Sequence, residues 1–410
     1  MKYKILTFLI VFVIFVFDTV MEYLQIKSSE REIPDNVKDV YDKEEYEKWL
    51  SYHKEGCKLS FIRHIVSFFV LALILGFDIY AKLLHLTDLT NVYLVAIFVT
   101  IIDILISMIW SVPFSYKNTM GIEQKYGFNR MTKKTFVADT IKSFIINALF
   151  MSGLVCLFIL IHQALGDWLL VVFTGIMLLV VLVIIFISPL TVRIYNKLEP
   201  LPEGELRDKL TALLECNDCT VKDIKVSDGS KRSSKANAFF AGFGKSKTIV
   251  LFDTLLEQMT EEEIVAVFAH EMGHNKHKDT LKMYGVTIVN VFAIAVGAWA
   301  LVSVPEICMA FGFESVEYGF AFILLGNVFL AFLSPLINLF ASVLSRKHEY
   351  AADAFAVDNG YGEALITALK KLAKNSFSCL SPHPFLVKMT YSHPTISQRV
   401  EAMEKRMRNK

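Results

Sequence analysis

Seven long apolar blocks, separated by polar stretches, dominate the pattern of this 410-residue chain. A bilayer core about 30 Å thick needs roughly 20 residues of helix to cross it, and each block meets that length. The pattern therefore predicts a mainly α, polytopic membrane protein with seven transmembrane helices. The blocks cover approximately residues 5–23, 65–84, 92–112, 144–162, 168–190, 283–311 and 318–344.

The first block resembles a signal peptide because Lys2 and Lys4 precede it. Signal peptides end in small residues at the cleavage site, whereas Asp18, Glu22 and Tyr23 stand there in this chain. We therefore predict that the first helix is retained.

The polar connections alternate in charge. Those after the second, fourth and sixth blocks are short and nearly free of Lys and Arg. Those after the first, third and fifth blocks, and the tail after the seventh, hold almost all the basic residues. Because basic loops stay in the cytoplasm, the pattern predicts an external N-terminus and a cytoplasmic C-terminus. Lys2 and Lys4 oppose this orientation but are outnumbered.

Composition agrees with a membrane protein. Hydrophobic residues make up 54% of the chain and its mean hydropathy is +0.46, so the lipid bilayer is a predicted partner. The net charge of only +1 implies no polyanionic partner, and we expect no nucleic acid to bind. The abundance of Ile, Phe and Lys favours a bacterial plasma membrane over the endoplasmic reticulum.

The six cysteines are scattered and suggest no disulfide framework. Cys216 and Cys219 form one C-x-x-C pair, but a second pair at a metal-binding spacing is missing from the sequence. We therefore favour plain thiols in a turn over a second metal or redox site.

The apolar blocks and the polar stretches divide the chain into four parts. These are a membrane region with spans one to five, a cytoplasmic segment, spans six and seven, and a C-terminal helical segment, at residues 1–190, 191–282, 283–344 and 345–410.

The cytoplasmic segment is predicted to be an α+β part with a small sheet. Two β-rich runs lie at residues 224–226 and 248–252, with residues 237–240 between them. Thr260 and the three glutamates after it form a capping box, which predicts the start of a helix.

This helix carries the motif His270-Glu271-Met272-Gly273-His274. Side chains at i and i+4 share one helical face, so both imidazoles can bind one zinc ion, while Glu271 lies about 100° away and can act on water instead. The alternative is a charged helix surface with incidental histidines. The apolar turn at residues 264–269 opposes it, because a buried helix needs a partner such as a metal for its polar groups. We predict one Zn²⁺ per chain, held in a zincin-like α+β catalytic part.

A catalytic zinc site usually has three protein ligands. His277 and Asp279 lie too close to the motif for the longer metzincin pattern. The best candidate is Glu349, predicted to begin a helix just after the seventh block, with His348 as the competing ligand. Asp353, one turn further on, can accept a hydrogen bond from a ligating imidazole.

With these residues in place, the chain resembles the type I CAAX prenyl endopeptidases, seven-span membrane gluzincins that trim prenylated C-termini. The similarity extends from about Pro34 to Met403 and is carried by many short segments in one order. These are residues 113–116, 122–129, 200–206, 228–233, 237–242, 250–255, 270–274, 346–356 and 393–394.

The resemblance implies roles that spacing does not supply. Glu349 would be the third ligand and Asp353 its orienting partner. His393 would stabilise the oxyanion. An edge strand would pair with the backbone of the substrate, and its residues would be Asn237, Ala238 and Phe239.

The family's helices also enclose a hydrated chamber. Such a chamber would suit polar residues in or near the spans, which are costly in contact with lipid. They are Asp18, Asp78, Asp103, Asn147, Asn290 and Asn327.

The predicted reaction is hydrolysis of a peptide or protein substrate, prenylated at its C-terminus if the resemblance extends to substrate, with Glu271 as the base. One alternative is a quality-control protease of the HtpX type, which has fewer spans and no prenyl requirement. A second is a transporter or channel, suggested by seven spans with acidic residues, which predicts no zinc.

Overall fold

The computed structural model describes residues 1–217, 221, 223–241 and 248–409, with the side chains of the sixth helix described as far as Ile184. The first half of the chain is helical almost throughout. Its helices are α1 (Lys2–Ser28), α2 (Lys43–Gly76), α3 (Ile79–Leu84), α4 (Val92–Tyr116), α5 (Lys133–Leu165) and α6 (Leu169–Tyr195).

The second half combines a small sheet with further helices. The strands are β1 (Leu198–Pro200), β2 (Asp223–Ser227), β3 (Ala238–Ala241) and β4 (Thr248–Phe252). The helices are α7 (Glu205–Cys216), α8 (Asp253–Gln258), α9 (Glu261–Lys276), α10 (Asp279–Val302), α11 (Pro305–Met309), α12 (Tyr318–Leu324), α13 (Ala331–Asp358), α14 (Gly362–Asn375), α15 (Pro384–Thr390) and α16 (Ile396–Arg408).

The predicted multi-pass architecture is confirmed. Six described helical runs are long and apolar enough to cross a membrane, and a shorter seventh apolar stretch lies at Leu169–Ile184. Large apolar side chains such as Ile109 (72% exposed) and Leu149 (71%) cover their outer surfaces. Exposed apolar area of this extent suits contact with lipid. The six runs are Lys2–Ser28, Lys43–Gly76, Val92–Glu123, Lys133–Leu165, Leu281–Val302 and Tyr318–Asp358.

Several helices extend well beyond the apolar blocks. α2 begins at Lys43, where Asp42 and Glu45 form a capping box, and α5 begins ahead of its apolar block at Lys133. Hydropathy marks only the part of a helix that contacts lipid, so its polar extension was not predicted. The second block is interrupted at Asp78, which adopts a left-handed conformation (φ 54°) before α3.

The polar residues of the spans fall into two groups. Asp18 lines a cavity of about 520 Å³ between α1 and α2. Asp103 and Asn147 line another of about 630 Å³ between α4 and α5. The other three have a polar partner: Asp78 pairs with the distant Lys4 (2.6 Å), and Asn290 and Asn327 donate within their own helices to the carbonyls of Val286 (3.3 Å) and Ile323 (3.2 Å).

The four strands form one sheet in the order β1-β2-β4-β3. β2 and β4 are parallel, and the two outer pairs are antiparallel. The predicted strand runs are therefore strands, and β3 lies at an edge, where one side of its backbone is free of any described strand. β1 was not predicted, because a three-residue run ending in Pro200 has almost no strand signal.

α9 forms the centre of the part predicted to be catalytic. This part comprises the sheet, α7–α9, the C-terminal end of α13 and α14–α16. Thr260 caps its first turn and Glu263 returns the bond, as the capping box predicted. The helix packs against α7, α13 and α14, and residues 264–269 are all buried.

The prediction that a new helix begins near Glu349 is wrong. α13 is continuous from Ala331 to Asp358, so the seventh span extends directly into the catalytic part. The change from apolar to charged residues near Ser345 marks the end of the apolar block without any break in helical hydrogen bonding. Of the two paired cysteines, Cys216 is exposed and Cys219 lies outside the described residues.

α9 and α13 approach each other closely at a glycine. A Cβ atom on Gly273 would lie 2.8 Å from the Cα and 3.1 Å from the carbonyl oxygen of Ala352. Both atoms belong to the backbone and cannot rotate away. We expect Gly273→Ala to lower the free energy of unfolding by about 1–3 kcal/mol, as overpacking does, in denaturation of the purified protein in detergent.

Gly285→Ala is the matched control, because Gly285 lies in α10 and a Cβ there meets no atom within 4 Å. Equal melting temperatures for the two variants would contradict the importance of this contact.

Candidate metal centre

α9 presents its two histidines on one face. The ring centroids of His270 and His274 lie 4.8 Å apart with the planes at 86°. His270 is buried and the side chain of His274 is 24% exposed. The i, i+4 spacing therefore brings the two imidazoles together at the end of a buried helix.

α13 contributes the carboxylate between them. Oε1 of Glu349 lies 3.2 Å from Nε2 of His274, and its Oε2 lies 3.5 Å from Nε2 of His270. One ligand atom from each of the three residues lies within 4.8 Å of the other two. This is a His₂Glu set, which is typical of catalytic zinc sites.

The other nitrogen of each ring is held by an aspartate. Nδ1 of His270 lies 2.9 Å from Asp353, and Nδ1 of His274 lies 3.0 Å from Asp279. With Nδ1–H donating to a carboxylate, each Nε2 carries the lone pair that a metal needs. Asp353 therefore lies within hydrogen-bonding distance of His270, and its role in orienting that ring stays a prediction.

Asp279 is a partner that the sequence did not indicate. Lys278, before it, has a left-handed backbone (φ 56°) that turns the chain from α9 into α10. This turn points Asp279 back towards His274. His348 also faces Asp279, at 3.5 Å, and lies outside the converging group, so it does not replace Glu349.

A buried arginine, also unpredicted, compensates the acidic groups. Arg399 of α16 makes a two-pronged contact with Asp353 at 2.9 and 2.6 Å. Its Nη1 lies 3.4 Å from Oε2 of Glu349. An isolated Arg in an amphipathic helix resembles a surface residue, and no local pattern distinguishes this one.

Charge at the site favours a cation. Burial opposes ionisation, but hydrogen bonds from His270 and Arg399 hold the pKa of Asp353 at about 2. Burial likewise opposes ionisation of Glu349, and the contacts with His274 and Arg399 hold its pKa at about 2. Glu271 differs, because burial raises the pKa of its carboxyl group.

One atom supports a metal at this position directly. Oε2 of Glu349 is buried and has no hydrogen-bond partner among the described residues. Leaving a buried carboxylate oxygen without a partner is costly. A divalent ion between the two Nε2 atoms and this carboxylate would satisfy it, so the residues fit the predicted group.

His393 lies close to this centre, and the predicted edge strand lies beside α9. Nε2 of His393 lies 3.3 Å from Oε1 of Glu349, and its side chain is 60% exposed. The edge strand β3 contacts α9. Asn237, just before that strand, accepts a hydrogen bond from the Phe252 N–H through its carbonyl (3.0 Å) and another from the Ala238 N–H through its side chain (2.9 Å).

Comparison with known families and proteins agrees with this architecture. A family model described as CAAX prenyl protease N-terminal, five membrane helices, matches residues 22–197. The model of Peptidase family M48 matches residues 200–407.

Individual relatives match over nearly the whole chain. A CAAX prenyl protease 1 homolog of Arabidopsis thaliana is 31% identical and covers 96% of this chain and 95% of its own length. CAAX prenyl protease 1 of Saccharomyces cerevisiae is 30% identical over 95% of this chain and 92% of its own. The crystal structure of S. mikatae Ste24p superposes with a TM-score of 0.92 at 27% identity, covering 98% of this chain and 99% of that one.

Separate replacement of the two candidate ligands on α13 tests the ligand set. Glu349→Ala removes the carboxylate that faces both imidazoles, and we expect purified protein to retain little bound metal by elemental analysis. His348→Gln is the matched control, since His348 neighbours Glu349 but faces Asp279. We expect it to keep close to one metal ion per chain. The reverse pattern would make His348 the ligand.

Proposed function

This chain belongs to peptidase family M48, together with the CAAX prenyl proteases, and from that premise we propose that it is a membrane zinc endopeptidase that cleaves the C-terminal tripeptide from prenylated CAAX-type peptides. The observation that carries the proposal is the convergence of His270, His274 and Glu349 at the end of a helix that leads into the membrane spans.

His270, His274 and Glu349 would hold the ion, which supplies the Lewis acidity that activates water and polarises a carbonyl. Glu271 accepts the proton of the attacking water and delivers it to the leaving amine. Burial raises the pKa of its carboxyl group. The group therefore holds a proton taken from water more firmly than an exposed carboxylate would, which suits a residue that must also deliver that proton.

His393 lies on the exposed side of the site. From Nε2, 3.3 Å from Glu349, it can donate a hydrogen bond to the oxygen that becomes negative during attack. Donors of this kind typically contribute about 10²–10³ in rate. Asp353, Asp279 and Arg399 act indirectly, by holding the imidazoles and Glu349 in position.

The substrate would bind as an added strand on β3. Residues of an antiparallel pair alternate in the direction of their backbone groups. Because the Asn237 carbonyl bonds to Phe252 of β4, the backbone groups of Ala238 face the free edge. There the Asn237 side chain covers the Ala238 N–H. A carbonyl of the substrate would replace the Asn237 side chain as the acceptor for the Ala238 N–H, and the freed Asn237 carboxamide could then bind the peptide. Phe239 would keep β3 in register with β4.

The substrate class and the cellular setting follow from the relatives and the charge pattern. The relatives are named CAAX prenyl proteases, and the apolar spans offer a place for an isoprenyl group. The alternation of basic loops favours a cytoplasmic active site and an external N-terminus. Lys4, which opposes that orientation, is neutralised by Asp78 at 2.6 Å. The composition favours a bacterial plasma membrane, although the relatives compared are eukaryotic.

A quality-control protease of the HtpX type is the second candidate. It is less favoured, because the match with CAAX prenyl proteases includes the domain of five membrane helices as well as the peptidase domain.

Paired peptides test the substrate class. We expect a farnesylated peptide ending in Cys-aliphatic-aliphatic-X to be cleaved much faster than its unprenylated twin, with release of the tripeptide seen by mass spectrometry. A chelator should abolish cleavage, and added Zn²⁺ should restore it. Equal rates for the two peptides would favour the quality-control alternative.

Replacement of the base tests the mechanism. Glu271→Gln keeps the size of the side chain but cannot accept a proton, so we expect bound metal to remain and turnover to fall by at least about 10²-fold. Elemental analysis and the peptide assay on the same preparation separate the two effects. Substantial turnover by this variant would refute the assignment.

A further inference from the structure

Arg346 makes an unusual set of contacts one helical turn before Glu349 on α13. Its Nη1 donates to the carbonyl oxygens of Val387 (2.9 Å) and Tyr391 (2.7 Å). Its Nη2 lies 3.4 Å from the carbonyl oxygen of Lys388. The side chain is half-buried and, among the described residues, forms no ion pair with a carboxylate. One guanidinium group therefore donates hydrogen bonds to three backbone carbonyls.

These acceptors lie at the C-terminal end of α15, whose C-cap is Tyr391. The last carbonyls of a helix have no partner within the helix, and cationic side chains stabilise this end. α15 has only seven residues, too few to hold its end in place by helical hydrogen bonds alone. The end of α15 is thus fastened to α13 by Arg346.

His393 follows two residues after Tyr391, in the loop between α15 and α16. The far end of this loop is also fixed, because Pro394 is buried and Thr395 forms a capping box with Gln398 at the start of α16. The histidine itself has little support. Its side chain is 60% exposed, and Nδ1 contacts the neighbouring Ser392 hydroxyl at 2.8 Å.

Arg346 and Glu349 stand on one rigid helix, at a spacing that places them on the same side. Arg346 holds the end of α15, and His393 follows that end by two residues. We therefore expect this contact with α13 to fix the 3.3 Å separation between His393 and Glu349. We propose that Arg346 is a positioning residue that places His393 over the reacting carbonyl. This inference rests on the proposed function, in which His393 stabilises the oxyanion.

A double-mutant cycle tests it with the farnesylated peptide. His393→Ala should lower kcat by about 10²–10³-fold. Arg346→Met keeps the apolar stem but loses the donors, and it should lower kcat by up to about 10²-fold, the cost of a displacement near 1 Å. KM should change little, because the lost interaction forms in the transition state. In the His393→Ala background, Arg346→Met should cause no further loss, since its effect acts through His393.

Two further variants act as controls. Arg406→Met removes another arginine bonded to α13, through Asp358 at 2.9 Å, and should leave activity, melting temperature and metal content close to wild type. Arg346→Lys keeps the charge, but a single ammonium group lacks the planar fork. It should repeat the Arg346→Met result in the same cycle, and it replaces that variant if Arg346→Met fails to fold.

The outcomes separate this inference from the proposed function. A wild-type protein that cleaves no peptide would overturn the proposed function. A second outcome is that wild type cleaves the peptide, His393→Ala is slow, and Arg346→Met is as fast as wild type. This outcome would overturn only the role of Arg346. If the losses of the Arg346→Met and His393→Ala variants add in the double variant, the role of Arg346 would also be overturned, because Arg346 would then act independently of His393.

Discussion

The contact between α9 and α13 is the constraint on which the rest of the site depends. Two histidines on one helix cannot form a three-ligand site alone, and the carboxylate comes from a residue 75 positions after the second of them. Gly273 lets the two backbones approach to a distance that a Cβ would prevent. Glu349 then lies between the imidazoles, at 3.2 and 3.5 Å.

This contact also concentrates charge in the interior. Glu349 and Asp353 are both buried, and isolated buried carboxylates would be very costly. Arg399 and the two imidazoles supply the donors that make their burial possible. One oxygen of Glu349 remains without a hydrogen bond among the described residues, and a cation is the partner that completes this network. The metal centre is therefore part of the packing of the catalytic part as well as its chemistry.

The catalytic part and the membrane part are continuous at this point. α13 carries the last part of the seventh span and, further along the same helix, Glu349 and Asp353. α10 begins with Asp279 beside His274 and continues as the sixth span. Both helices therefore join the site directly to an apolar, span-length run. β3 contacts α9, and its outer edge is paired with no described strand. An unpaired edge is usually avoided in soluble proteins because it invites association. Its retention here is understandable if a peptide is its partner.

What the sequence determined by itself was local or strongly periodic. The apolar blocks predicted the multi-pass helices, the capping box at Thr260 predicted the start of α9, and the i, i+4 spacing predicted that His270 and His274 share one face. These features depend on neighbouring residues and hydropathy alone. Glu349 was the best candidate by its position just after the seventh block, and a family resemblance supported it. His393 was named from that resemblance alone, since no local rule links it to α9.

Only the tertiary structure decided which distant groups meet. Asp279 reaches His274 because of one left-handed residue, and Arg399 and Arg346 act through contacts with segments 46 and 41–45 positions away. The strand order, the short β1 and the unbroken course of α13 also escaped prediction. Long-range contacts depend on how whole helices and strands pack. The local pattern around each residue is compatible with many distant partners, and only the fold decides which of them it meets.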